Sequence, residues 1–352
     1  VRADGGDYVL TGHKWFCSAP MSDAFLVLGQ VERRSGAEGL TCFLVPRVLE
    51  DGTRNSFRIQ RLKDKLGNKA NASSEIELDG TVGHLVGEAG RGVRTIIEMV
   101  ARTRLDCVYG STAGMRQSVA EALWHVRHRA AFGATLVDQP AMTSVVADLA
   151  LESEAATLTA MRLAAAHEDD VPESERAFRR LATAVSKYWI CKRGPHHSYE
   201  ALECLGGNGY TEQFPLAMRY REQPVMAVWE GSGNVIALDM LRAMAREPAS
   251  VEAFIAELSS TAGQNAVLDA HVSRTTALTR AILADPAGAE AQSQARRLVE
   301  SLALGLQSSL MLRHAPSASA EAFIAARLGD DRGAQYGVLP RGTDAAAIIA
   351  RH

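Results

Sequence analysis

A glutamate set between a bulky aromatic residue and a run of small ones, Trp229-Glu230-Gly231-Ser232-Gly233-Asn234, is the best candidate in this chain for acid–base chemistry. An apolar wall on one side would desolvate the carboxylate and raise its pKa toward the range of a general base. The amides from Gly231 to Asn234 would open the next helix and could face an anion or the polar edge of a cofactor. Taken alone, Glu230 reads more simply as a carboxylate favoured by the macrodipole at a helix start.

Three other segments could hold a large ligand. Leu205-Gly206-Gly207-Asn208-Gly209-Tyr210 is glycine-rich enough for a backbone to approach a phosphate, although a plain interhelical turn has the same composition. No strand precedes it, so it is not a Rossmann fingerprint. Arg129-Ala130-Ala131-Phe132-Gly133 is expected to close a long helix, with Arg129 and Phe132 three apart on one face. That face could pair a pyrophosphate and stack on a flat ring, or simply complement a helix dipole and a core. Gly12-His13-Lys14-Trp15-Phe16-Cys17-Ser18 reads as a strand in which Phe16 and Ser18 share a face and could flank a ring, the alternative being a core strand ending in a surface serine.

The elements that would position these groups fall into two textures. A Gly5-Gly6-Asp7 turn and apolar or alternating runs at 8–16, 25–31, 40–46, 57–62 and 75–80 predict several short strands and a small barrel or sandwich. From Gly92 the apolar residues recur at helical spacing. Helices are predicted over about 92–129, 140–167, 177–205 and 235–246, suggesting an antiparallel four-helix bundle. A more polar helical region follows over about 249–328, with weak breakers at Asp285-Pro286 and Pro316, before a turn-rich tail at 333–341.

Composition narrows the function classes. The 352 residues are 47% hydrophobic with a net charge of −3, so nothing argues for nucleic-acid binding by the chain as a whole. Five dispersed cysteines without a CxxC pair predict buried thiols in a reducing cytoplasm rather than disulfides or a zinc site, and no metal is expected. No apolar run is long enough to predict a membrane span. The chain has no signal-peptide pattern and opens without methionine in strand-like sequence, so an N-terminal portion is expected to precede it.

Taken together and in order, the four motifs resemble the acyl-CoA dehydrogenase family over roughly residues 1–246. The family's GxKxWIT-type strand is matched by Gly12 to Ser18, its RxxFG by Arg129 to Gly133, its GGxGY turn by Gly206 to Tyr210, and its EGT/EGS segment by Glu230 to Ser232. Segments 61–68, 103–107 and 191–194 look most like the AidB-like branch, which also carries a helical C-terminal extension.

The resemblance implies a mostly helical α+β fold. A small β-barrel or sandwich (1–88, facing the flavin, truncated at its N-terminus) would precede an antiparallel bundle (89–247) and the helical extension (248–352). A helical N-terminal domain would precede the chain, and dimers or tetramers would form. The cofactor implied is FAD and the substrate an acyl-CoA thioester.

Carried over position by position, Glu230 is the general base. Thr103 stands where some members carry the base, and it cannot accept a proton. Phe16 and Ser18 would flank the flavin beside Cys17. Arg129 and Phe132 would reach the FAD of a partner subunit. Leu205, Gly206 and Gly207 would follow the adenosine diphosphate, and Ser232 and Asn234 would supply polar contacts. The family's glutamine after RxxFG falls one position early, at Gln139, and the one before the double glycine is Glu203 here. Arg104, Trp229 and Tyr210 would line the substrate region.

Two further readings accompany this one. A DNA-associated, AidB-like flavoprotein of the stress response would use a basic face drawn from Arg242, Arg246, Arg296, Arg297, Arg313 and Arg332, although acidic residues balance these arginines across 241–352. A non-enzymatic assembly module would keep FAD only as a structural element.

Overall fold

The computed structural model describes residues 2–4, 7–31 and 36–352, with the side chains at 2–4, 37, 38 and 98 outside that description. The expected turn at Gly5 and Gly6 lies outside the described residues. The chain forms two compact units, Val1–Arg102 and Thr103–His352.

The first unit is a curled antiparallel sheet. Its strands are β1 (Arg2–Asp4), β2 (Asp7–Cys17), β3 (Ala24–Gln30), β4 (Leu40–Pro46), β5 (Phe57–Leu62) and β6 (Ser74–Val86). They run in the order β1-β2-β6-β4-β3, with β5 also paired to β6. One half of the long β6 pairs with β2 and β5, as in Ile76 opposite Lys14 and Ile59, and its far end pairs with β4, Val86 opposite Cys42. A strand shared in this way curls the sheet around one apolar face. Leu10, Val27, Phe43, Val45, Ile76 and Leu78 fill that face, with Phe25 stacked on Phe57 at 4.6 Å between ring centroids.

The helices begin with α1 (Gly92–His128). A short hairpin, β7 (Ala130–Ala131) and β8 (Ala134–Thr135), leads to α2 (Pro140–Ala166) and α3 (Glu173–Glu203). A 3-10 turn at Gly206–Tyr210 precedes α4 (Pro215–Val228), α5 (Gly233–Arg246), α6 (Pro248–Ser259), α7 (Ala266–Leu283), α8 (Ala289–His314), α9 (Ser317–Leu328) and α10 (Ala345–Ile349).

In the second unit α3 is the hub, packed by α2, α4, α5, α6 and α8. The bundle is larger than the expected four helices. Helix α4 went unanticipated because Pro224 and the charged pairs around it interrupt the apolar period. Gly114 and Gly194 make room for it: a Cβ at either would lie 1.8 Å or 2.3 Å from the buried amide of Gln223 on α4.

Position 247/248 is no break in packing. Phe254 and Leu258 of α6 and Leu298 and Leu302 of α8 share one core with Phe178 and Leu181 of α3. Two ionic sets, the first part-buried and the second built on buried carboxylates, tie the later helices down. Arg162 pairs with both Glu175 and Glu257, and Glu257 also pairs with Arg313. Glu152 pairs with Arg193 and Arg327, and Arg327 also pairs with Asp148.

Candidate functional site

The segment around Glu230 joins α4 to α5. Helix α4 stops at Val228, where the Trp229 amide still donates to the Val225 carbonyl at 2.8 Å. Glu230 then adopts φ 57°, the left-handed region that an L-residue enters only at a cost of about 1–2 kcal/mol. Gly231 follows at φ 112°, and Ser232 caps α5 with its backbone. Trp229 and Glu230 are half-buried, and Ser232 and Asn234 are exposed.

Two cations hold the strained turn by its carbonyls. Arg104 Nε donates to the Glu230 carbonyl at 3.1 Å, while its Nη1 pairs with Asp239 on α5 at 2.7 Å. Lys187 Nζ donates to the Gly231 carbonyl at 2.6 Å and reaches the Ala227 carbonyl at 3.4 Å. Lys187 is only 1% exposed, and burial lowers its pKa below the ordinary lysine range. Arg104, expected to line the substrate region, therefore acts here by fixing backbone. Lys187 and Asp239 are partners the sequence reading did not name. A lysine at mid-helix carries no local mark of where its ammonium ends.

Asn234 accepts from Arg296 Nε of α8 at 2.8 Å. A Cβ on Gly233 would lie 2.6 Å from Lys192 Cε, so two cations crowd the first turn of α5. Burial and Arg296 both lower the Lys192 pKa.

The glycine segment divides by role. Gly209 cannot carry a side chain, since a Cβ would meet the Leu202 carbonyl oxygen at 2.1 Å. Gly206, at φ 58°, and Gly207 have no atom within 4 Å of a Cβ, so this stretch of backbone is open to a ligand. Leu205 is buried in the core and offers only backbone, whereas Tyr210 is 87% exposed.

Arg129 to Gly133 requires a correction. Helix α1 ends at His128, so Arg129 and Phe132 do not share a helix face. Ala131 pairs with Ala134 across Phe132 and Gly133, both at positive φ, which is a two-residue hairpin of type I′. Alanine-rich composition suggested helix, but the turn chemistry of Phe-Gly and the closing bond from the Gln139 amide to the Ala131 carbonyl at 2.7 Å favour the hairpin. Phe132 stands 95% exposed at its tip, and Arg129 is exposed at its base.

In the first unit, β2 carries a register shift between Lys14 and Cys17, which turns both Trp15 and Phe16 outward. Ser18 lies past the strand end, so the expected alternation from Phe16 to Ser18 does not apply; Cys17 is half-buried and Ser18 exposed. Lys63 Nζ sits 3.1 Å from the Trp15 ring centroid and 4.7 Å from that of Phe16. Glu75 holds Lys63 at 2.6 Å and Arg61 at 2.8 Å, and the Lys63 bond chiefly keeps its pKa below the ordinary carboxylate value.

The arginines considered for DNA are divided among different partners and places in the fold. Arg313 is bound by Glu257, Arg296 by Asn234, and Arg242 lies 4.0 Å from Asp239. Arg246 ends α5, whereas Arg297 of α8 and Arg332 of the loop after α9 border one concavity that the other four do not line. Among the described residues no cluster of His, Cys, Asp and Glu is arranged to hold a metal, and no helix is long and apolar enough to cross a membrane. All five cysteines are free, and burial pushes Cys107 up to about 11 and Cys191 and Cys204 to about 12.

Comparison with known proteins gives two family matches: "Acyl-CoA dehydrogenase, middle domain" over residues 1–81 and "Acyl-CoA dehydrogenase, C-terminal domain" over 90–245. The chain is similar to AidB of Escherichia coli (strain K12), 44% identical over 273 residues, covering 78% of this chain and 50% of that protein. It is similar to acyl-CoA dehydrogenase family member 11 of Caenorhabditis elegans, 33% identical over 251 residues, covering 69% of this chain and 41% of that one. The crystal structure of C. elegans ACDH-11 in complex with C11-CoA superposes with a TM-score of 0.83 at 27% identity, covering 92% of this chain and 59% of that chain. The chain thus spans about half the length of the curated relatives it matches.

Proposed function

The chain belongs to the acyl-CoA dehydrogenase family, and from that premise we propose that it is the flavin- and thioester-handling part of an FAD-dependent acyl-CoA oxidoreductase, with Glu230 as general base. The observation that carries this reading is the left-handed backbone of Glu230, clamped at its own carbonyl by Arg104 and at the next by Lys187. Strain that two cations keep in place points to a side chain whose direction matters.

An acyl-CoA thioester carries acidic α-protons beside its carbonyl, and a carboxylate aimed at that carbon removes one. Lys192 and Arg296 put positive charge at the start of α5, where an anionic edge of the ligand would be favoured. When bound, FAD supplies the acceptor for the hydride that leaves the β-carbon.

The residues suit that cofactor. Phe16 offers an outward aromatic face beside Ser18, Gly206 and Gly207 leave their backbone unobstructed, and Arg129 is exposed. We assign the Phe132 tip to contact with a second copy, because a 95%-exposed aromatic at positive φ gains nothing within its own chain. In the same reading, 1–88 is the flavin-facing domain, 89–247 the catalytic bundle and 248–352 its extension.

The test is Glu230→Gln. The substitution should leave flavin absorbance intact and remove the bleaching that acyl-CoA produces under anaerobic titration. Full-amplitude bleaching at an unchanged rate in the variant would remove Glu230 from the mechanism.

A further inference from the structure

Away from the Glu230 turn, helices α3, α7, α8 and α9 and the loop after α9 line a half-open cavity of about 400 Å³. Its lining is strongly cationic. Arg193 from α3, Arg274 and His271 from α7, Arg297 from α8, Arg327 from α9 and Arg332 from the loop all border it, against one carboxylate, Glu300. The whole chain is slightly acidic, so this is a local concentration of positive charge.

The arginines fall into two groups. Arg193 and Arg327 form a fixed floor, held by Glu152 and Asp148 at 2.6–3.0 Å. Arg274, Arg297 and Arg332 form no ion pair among the described residues, and Arg332 Nη1 donates to the Gly329 carbonyl at 3.2 Å. Three guanidinium groups that share a concavity and lack a carboxylate partner repel one another unless something anionic lies between them.

His271 records their field. Its Nε2 is 2.8 Å from the Ser301 carbonyl, and its pKa is lowered by burial first and then by Arg274 and Arg332.

We infer that this cavity binds a small polyanion bearing phosphate groups, with Arg274, Arg297 and Arg332 as its ligands and the Arg193–Arg327 floor behind them. Guanidinium forks match phosphate oxygens in pairs. The space suits a compact molecule, in the range of ordinary small-ligand sites. It does not suit a duplex, which needs cations spread along an extended surface. The site is independent of the proposed dehydrogenase chemistry, so either can fail without the other.

Isothermal titration of the whole chain with pyrophosphate, at ionic strength matched by sodium chloride, tests the inference. The expected result is saturable one-to-one binding, roughly tenfold weaker in Arg274→Ala and weaker by a further factor of roughly ten in Arg274→Ala/Arg297→Ala. Both side chains are exposed, so the melting curves of the variants should match that of the parent chain. Parallel titrations with inorganic phosphate and with a short DNA duplex separate the sources of phosphate. Heats no larger than those from sodium chloride, pyrophosphate affinity unchanged in the double variant, or duplex binding without pyrophosphate binding would each overturn it.

Discussion

Replacing Lys187 by methionine should uncouple activity from stability. Lys187 is 1% exposed, and its ammonium makes one short bond, 2.6 Å to the Gly231 carbonyl, with a longer reach to Ala227. A hydrogen bond from a charged donor contributes about 1.5–3 kcal/mol, and its loss leaves a carbonyl without that partner. Opposing it is the left-handed strain of Glu230, about 1–2 kcal/mol, which the turn would relax once the clamp is gone. The productive turn should then become the minor state, and kcat/KM for an acyl-CoA should fall by roughly 10- to 100-fold. Global stability should change little, because methionine fills similar volume and removes the cost of burying an ammonium ion. Steady-state kinetics together with a denaturant melt measures both quantities. A kcat/KM within twofold of the parent in a folded variant would refute the claim that this clamp aims the carboxylate. A large loss of stability in parallel with activity would show that Lys187 is a fold residue only.

Acid should unfold the chain in two steps traceable to α2 and α3. Burial lowers the His197 pKa to about 4, so stability should decline as pH falls below its free value of 6.5, because the unfolded chain then binds the extra proton. Burial alone would raise the Glu152 pKa, but Arg193 and Arg327 overcome it and bring it to about 2. Its contribution, about 3 kcal/mol, is complete above 4.5 and lost as pH drops toward 2; melts of Glu152→Gln, expected to be about 3–5 kcal/mol less stable at neutral pH, check the assignment. Phe132→Gly should stabilise the isolated chain by up to about 1 kcal/mol by relieving positive φ while weakening self-association, as read by denaturant midpoint and light scattering. Gly209→Ala should cost about 1–3 kcal/mol through the clash with Leu202, whereas Gly207→Ala should melt normally and lose flavin on dialysis; flavin retention in the latter would argue against a ligand at that backbone.

Much of the chemistry was legible in the order of the residues. The period of apolar residues and the placing of Pro and Gly located α1, α2, α3 and α5 and most of the strands, because those signals act within a few residues. Motif order carried the family resemblance and singled out Glu230. Local signals failed where they conflicted. Pro224 hid α4, alanine richness around Phe132 masked a type I′ hairpin, and a register shift in β2 overrode strict alternation at Phe16 and Ser18.

Tertiary structure alone decided what holds the Glu230 turn and what gathers the arginines of the cavity. Arg104 lies 126 residues from the carbonyl it binds, and Lys187 lies 44 residues from its own. Arg193, Arg274, Arg297, Arg327 and Arg332 come from four helices and a loop. Spacing along a chain sets which face of its own helix a side chain occupies. Only the packing of helix on helix determines which distant backbone oxygen or guanidinium group meets it there.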